Sequence, residues 1–264
     1  MLLPLWPPAL IVILSLPLAA LLGWRIGRTT HVAKGYDKTP PSSFPGEASL
    51  GAMLAFLGLL VAFTFSFALS RAEMRKETQL YEAMAIGTAF LRAEVLEEPG
   101  KSALRASLAA YAETRVTDSS IRTREGQQAF MARTMAAQAE LWPTMLAALE
   151  DDTAPALRAL VISGITDVLD ANTRRVAAAT DYVPRFAKLM LLSVAMASMF
   201  FVGNNSGLRG RELTWRTFSI ALVLSLAIIV ILDFERPHDG FIRIDTGILE
   251  STIDELQAHG AAPK

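Results

Sequence analysis

The chain has 264 residues, 52% of them hydrophobic, with a net charge of −1 and no cysteine. The balanced charge leaves no electrostatic footprint for nucleic acid, and the absence of Cys excludes disulfides, thiolate metal sites and a Cys nucleophile. A mean hydropathy of +0.35 is high for a soluble protein and directs attention to the membrane.

Residues 6–24 are the first apolar stretch long enough to span a bilayer, which takes about 20 residues. No Lys or Arg precedes Arg25, so the basic start of a signal peptide is missing and a retained span is expected. The segment "RIGRTTHVAKGYDKTPPSSFPGE" reads as a loop from its Pro, Ser and Gly content. A second span covers 48–70 and passes without a breaker into "RAEMRKE". Up to residue 97 only Gly87 weakens the helix, by about 1 kcal/mol. Glu73 and Lys76, three apart, can pair on its polar surface.

Pro99–Gly100 marks the first break. Helices are then expected over 101–116, over 123–150 with a bend or restart at Pro143, and from Pro155 towards Tyr182. The last carries Leu157, Leu160, Val161, Ile165, Val168 and Leu169 at helical spacing. A third span, 186–203, begins beside Arg185 and Lys188, which can snorkel. "GNNSGLRGRE" reads as a short turn, and a fourth span covers 213–234. In the tail, "GFIRID" reads as an extended piece and "GILESTIDELQ" as an amphipathic helix. The expected fold is an all-α membrane protein with four transmembrane helices in two pairs. Residues 1–70 hold the first pair, 71–184 an inserted helical extramembrane domain, 185–234 the second pair and 235–264 the tail.

Two ridges run along the second span. Gly58, Ala62, Ser66 and Ser70 recur every four residues, and small residues at that spacing let membrane helices approach closely. Leu59, Phe63 and Phe67 recur at the same spacing, about 100° round the axis. With the small ridge against a neighbouring subunit, the Leu/Phe ridge points at the centre of a ring, where apolar layers can gate ions by dewetting. The same side chains can instead face lipid.

Glu82, Asp167, Asp170, Asn172 and Arg174 lie on the first and fourth polar helices. They read either as solvated charge with intrahelical pairs such as Asp170–Arg174, or as a polar network joining the two helices. His31, His238 and His259 lack ligand spacing, so no metal is expected. With no phosphate-binding glycine loop and no nucleophile elbow, neither a cofactor nor enzymatic activity is expected.

The stretch "LGLLVAFTFSFALSRAEMRKETQLYEAMAIGTAFLR" resembles the bacterial "bestrophin-like" membrane family. The resemblance rests on Leu-Ala-Phe-type residues before the charged exit and on Glu82, Ala83, Ala85, Ile86, Gly87, Ala89, Leu91 and Arg92. "LDANTRRVAAATDYVPR" and "FERPHDGFIRI" extend it over most of the chain. A more distant resemblance is to true bestrophins, pentameric anion channels whose second helix carries an apolar constriction. It implies that Leu59, Phe63 and Phe67 fall on that constriction, and that the partners are the lipid bilayer, further copies of the chain in a homo-oligomer such as a pentamer, and inorganic ions. Ala68, Leu69 and Ser70 replace the Arg-Asn-Ser-type segment of bestrophins, and the tail has no acidic calcium clasp, so the ion is left open. A non-conducting sensor or scaffold whose helical domain binds a partner is the alternative.

The family implies the bacterial inner membrane. Arg25, Arg28, Lys34 and Lys38 in one connection and Arg209, Arg211 and Arg216 in the other put both on the cytoplasmic side by the positive-inside rule. Four spans then leave the helical domain extracytoplasmic. The bestrophin resemblance implies the reverse.

Overall fold

The computed structural model describes residues 6–36, 46–116, 121, 123–149 and 153–236, with 247, 249, 251–254 and 258 of the tail. Among the described residues the main helices follow one another as α1 (Trp6–Ala33), α2 (Glu47–Arg92), α3 (Gly100–Arg115), α4 (Arg124–Ala148), α5 (Pro155–Thr180), α6 (Arg185–Leu208) and α7 (Trp215–Phe234). The fold is all-α, and among the described residues four helical segments are long and apolar enough to cross a membrane: α1, the first part of α2, α6 and α7. The protein is an integral membrane protein.

Four boundaries differ from the sequence reading. α1 continues nine residues past position 24, through "RIGRTTHVA", because nothing in that stretch stops a helix; the Pro-rich part of the connection comes later. α2 ends at Arg92 and tightens into a 3₁₀ turn over Ala93–Val95. α4 runs through Pro143 without restarting; Pro143 is exposed, which leaves water free to satisfy the carbonyl that its ring releases. α6 includes Gly203–Leu208, so more than half of the expected "GNNSGLRGRE" turn is helix. The "GFIRID" segment lies outside the described residues, whereas Ser251–Asp254 is helical as expected for the tail.

The chain divides into two compact units, Leu2–Arg71 with Tyr182–Ile242, and Ala72–Asp181 with the end of the chain. In the first, glycines decide the packing of α1 on α6. A Cβ at Gly203 would lie 1.9 Å from the Ala20 carbonyl oxygen, and one at Gly23 would lie 1.9 Å from that of Phe200. Gly27 and Gly207, one turn on, are held as closely, at 2.2 Å from the Asn204 oxygen and 2.3 Å from the Trp24 oxygen. Small residues four apart on both partners bring the backbones together, which is how membrane helices gain packing without a hydrophobic drive. Leu16, Ala195, Met199, Ala221, Ile228 and Ile231 complete this core.

The second unit is a four-helix core. Ile86 of α2, Leu104, Leu108 and Tyr111 of α3, Leu141 and Met145 of α4, and Ile165 and Val168 of α5 are buried together. In the tail Leu249 is buried, and Ile253 packs on this core. Thr123 caps α4 by accepting from Gly126 N at 3.0 Å. Arg75 of α2 is buried at the C-terminal end of α5, donating from Nε to Ala178 O at 3.2 Å and from Nη2 to Asp181 O at 2.9 Å. A guanidinium there satisfies carbonyls that a helix end leaves open, and it favours the negative end of the helix dipole.

Candidate functional site

In the membrane unit, the side of α2 that carries Leu57, Thr64 and Ala68 is buried, with Leu60 and Val61 packed on the same core. Thr64 returns its hydroxyl to Leu60 O at 2.7 Å, so it brings no unpaired donor inward. Phe65 meets Phe234 of α7 edge to face, with ring centroids 5.6 Å apart. The rest of the helix surface is open. Leu59, Phe63 and Phe67 are 51%, 57% and 62% exposed. Gly58, Ala62, Ser66 and Ser70 are exposed as well, and a Cβ added at Gly58 would meet nothing within 4 Å. Both ridges read from the sequence are therefore uncovered in the protomer.

In the helical unit, the centre of the polar chemistry is Glu82. Its side chain is fully buried, one helix face away from the exposed Tyr81. Oε1 accepts from Tyr111 Oη at 2.6 Å and from Arg115 Nε at 2.8 Å. Oε2 accepts from Arg175 Nη1 at 2.5 Å and from Arg115 Nη2 at 3.3 Å. Arg115 also reaches Thr134 Oγ1 at 3.5 Å and lies 5.7 Å from the Phe130 ring centre. Arg175 Nη2 donates to Arg115 O at 3.4 Å. Three helices, α2, α3 and α5, thus meet on one carboxylate, and α4 joins through Thr134 on Arg115.

Burial alone would raise the Glu82 pKa. The opposing charges of Arg115 and Arg175, with the hydrogen bonds from Tyr111 and Arg175, outweigh it and hold the carboxyl below its ordinary value. Tyr111 is pushed up, first by burial and then by the Glu82 charge beside it. Arg175 is lowered, chiefly by burial, against the attraction of Glu82. The cluster holds two guanidinium charges around one carboxylate, a net positive charge inside the bundle, and it ties α2, α3 and α5 to one arrangement.

The other expected members of a polar network lie elsewhere in this unit. Asp167 pairs with Arg92 at 3.0 Å on the partly exposed α2–α5 seam. Asn172 is buried and donates from Nδ2 to Gln138 Oε1 of α4 at 2.9 Å. Arg174 lies over the Tyr81 ring, 5.0 Å from its centre, and Asp170 is exposed. The sequence reading missed Tyr111 and Arg115 and took Arg174 where Arg175 reaches Glu82. The signal was present: Val161, Ile165 and Val168 mark the buried face of α5, and position 175 lies seven residues after 168 on that same face. Tyr111 and Arg115 are four apart, so both face one neighbour.

The packing of α2 on α5 also accounts for the "EAMAIGTAFLR" motif. Glu82 takes the ion pairs, Ala85, Ile86 and Ala89 enter the core, a Cβ at Gly164 would lie 3.3 Å from Ala89 Cα, and Arg92 closes the seam on Asp167. A family model for the bestrophin-like domain matches residues 48–249, most of the chain. The chain belongs to the bestrophin-like family. Among solved structures, a bestrophin-like fold is seen in a variant of a bacterial bestrophin homologue from Klebsiella pneumoniae, at 14% identity over 95% of this chain and 99% of that one, with a TM-score of 0.65. A zinc-phased crystal structure of a homologue from the same organism matches at 14% identity over 96% of this chain and 100% of that one, with a TM-score of 0.63. A crystallised variant described as a membrane protein matches at 15% identity over 96% of this chain and 99% of the other, with a TM-score of 0.61. No curated protein matches the bestrophin-like chain.

Proposed function

We propose that this bestrophin-like protein assembles as a homo-oligomeric ion channel of the bacterial inner membrane, with Leu59, Phe63 and Phe67 of α2 around the conducting axis and Gly58, Ala62, Ser66 and Ser70 against the adjacent subunit. The observation that carries the reading is the open double ridge: the opposite side of α2 is packed in its own protomer, while both ridges are uncovered. Lipid alone would cover the Leu/Phe ridge adequately. It gives no reason for a parallel ridge of Gly, Ala and Ser, which matches what close helix approach requires. Stacked apolar rings about 6 Å apart, one per four residues of helix, then form a constriction about 12 Å long that resists ions because they must shed water without a compensating ligand.

In this reading residues 71–184 are the extramembrane domain, with the Glu82 cluster as the internal brace that fixes α2 relative to α3 and α5. The charge of the short connections favours an extracytoplasmic position for that domain, and five subunits would follow the bestrophin pattern. The test is ion flux across liposomes holding the purified protein, compared with protein whose Leu/Phe ridge has been truncated. A non-conducting scaffold is the second reading. It draws support from the outward face of α4, where Met131, Met135, Trp142 and Leu146 are all exposed, and partner binding by the isolated oligomer with no flux would favour it.

A further inference from the structure

The end of the membrane unit where α1 and α6 finish and α7 begins is built as a fixed cationic platform. Three bonds from α1 hold the end of α6 and the α6–α7 connection. Trp24 Nε1 donates to Arg211 O at 2.9 Å, Arg28 Nη1 donates to Gly210 O at 3.1 Å, and His31 Nδ1 meets Leu208 O at 2.7 Å. Gly210 has φ +69°, with a hypothetical Cβ 3.0 Å from the His31 ring and 3.1 Å from Arg28 Nη1. Only glycine fits that conformation and that contact. These ties bring two distant segments of sequence together. One supplies Arg25, Arg28 and Lys34, and the other supplies Arg209, Arg211 and Arg216, with Glu212 the one described carboxylate between α6 and α7. Arg25, Lys34, Arg211 and Arg216 are exposed. Trp215, 74% exposed, stands at the boundary between this platform and the apolar α7.

We infer that this platform binds the headgroups of anionic phospholipid in the adjoining leaflet. The phosphates would sit among Arg25, Lys34, Arg211 and Arg216, and Trp215 would anchor at the headgroup level. Three independent features of this end of the membrane unit favour lipid. An excess of cations gathered beside transmembrane helices attracts anionic lipid. An exposed Trp directly at a span boundary suits the interface, with its ring apolar and its N–H polar. The backbone ties hold the charges together before any lipid arrives, so little ordering has to be met on binding. Lipid is the favoured source of phosphate over a soluble anion, because the platform adjoins the apolar helices and has Trp215 facing outward.

The test titrates labelled phosphatidylglycerol into the full-length protein in neutral detergent, with phosphatidylcholine and glycerol phosphate as the other arms. Each cation near a lipid surface strengthens association about fivefold, so Arg211→Gln with Arg216→Gln should weaken phosphatidylglycerol binding on the order of 30-fold. Arg25→Gln with Lys34→Gln, on the other segment, should do the same, and Lys76→Gln in the helical unit should do nothing. Each variant is read only at an unchanged thermal midpoint, and the two pairs serve as replacements for each other should one fail to fold. Wild-type affinity in a well-folded pair variant would overturn the inference, as would equal affinity for phosphatidylcholine. Displacement of the lipid by equimolar glycerol phosphate would also overturn it, in favour of a soluble-phosphate site.

Discussion

Replacing Glu82 by Gln tests the brace at the centre of the helical unit. The change is nearly isosteric, so packing is kept and the electrostatics are isolated. In the wild type, two guanidinium groups, both largely buried, share one fully buried carboxylate. A Gln oxygen can still accept from Tyr111 and Arg115, but its amide nitrogen then meets the Arg175 donor. Two cations are left buried with no counter-charge. Removing one partner of a buried ion pair typically costs about 3–5 kcal/mol, which for a chain of this size is a fall in thermal midpoint on the order of 10 °C. The assay is thermal unfolding of the purified protein, followed through Trp142 on α4 in a variant whose other tryptophans are replaced by Phe. The pH dependence follows from the lowered pKa of Glu82. The charged carboxylate stabilises the fold above the ordinary unfolded value of about 4.3, and that contribution is lost as the pH falls through the lower folded-state value. Acid should therefore erode wild-type stability below about pH 4, and Glu82→Gln should lack that component. Asp170→Asn, at an exposed site, should stay within about 0.5 kcal/mol of wild type. If Glu82→Gln matched Asp170→Asn in midpoint, the guanidinium groups would have to be solvated, and the brace would be refuted.

Gly203→Leu should lower yield and thermal midpoint by more than the about 1–3 kcal/mol of ordinary overpacking, because its Cβ would lie 1.9 Å from Ala20 O and the clash is with backbone. A normally stable protein with unchanged α1–α6 crosslinking would contradict the close approach. In this Cys-free chain, a cysteine at Lys34 should be protected from impermeant reagent in intact spheroplasts and one at Glu140 should be labelled; the opposite pattern would put the helical domain in the cytoplasm. Ala62→Leu, on the open small ridge, should leave the protomer folded yet reduce the oligomer on size-exclusion chromatography with light scattering. An unchanged oligomer would remove that ridge from the subunit contact.

The spans were legible because hydropathy follows directly from the solvent that surrounds a membrane helix. The unbroken α2 was also legible, since "RAEMRKETQLYEAMA" contains nothing that ends a helix. Glycines were harder to read. "GNNSG" has the composition of a turn, and only the matching Gly23 and Gly27 on α1 give Gly203 and Gly207 a partner; a single segment does not reveal its neighbour. The same limit affects the charged cluster. Glu82 stood out as a carboxylate in an otherwise apolar motif, but its counter-charges come from α3 and α5, 33 and 93 residues later in sequence. Choosing Arg175 over Arg174 required carrying the α5 core face two turns past Val168. Composition alone treats the two arginines as equivalent, although they point about 100° apart.

The central claim is that Leu59, Phe63 and Phe67 line a conducting axis, and ion flux per folded oligomer tests it most directly. Wild type and a triple Ala variant would be reconstituted in liposomes at matched oligomer density, with potassium and chloride flux followed separately. Truncating the apolar layers should widen and wet the constriction. Flux from the triple variant should then be several-fold higher than from wild type. Equal flux from the two, with assembly verified in both, would show that these side chains face lipid and would contradict the channel reading.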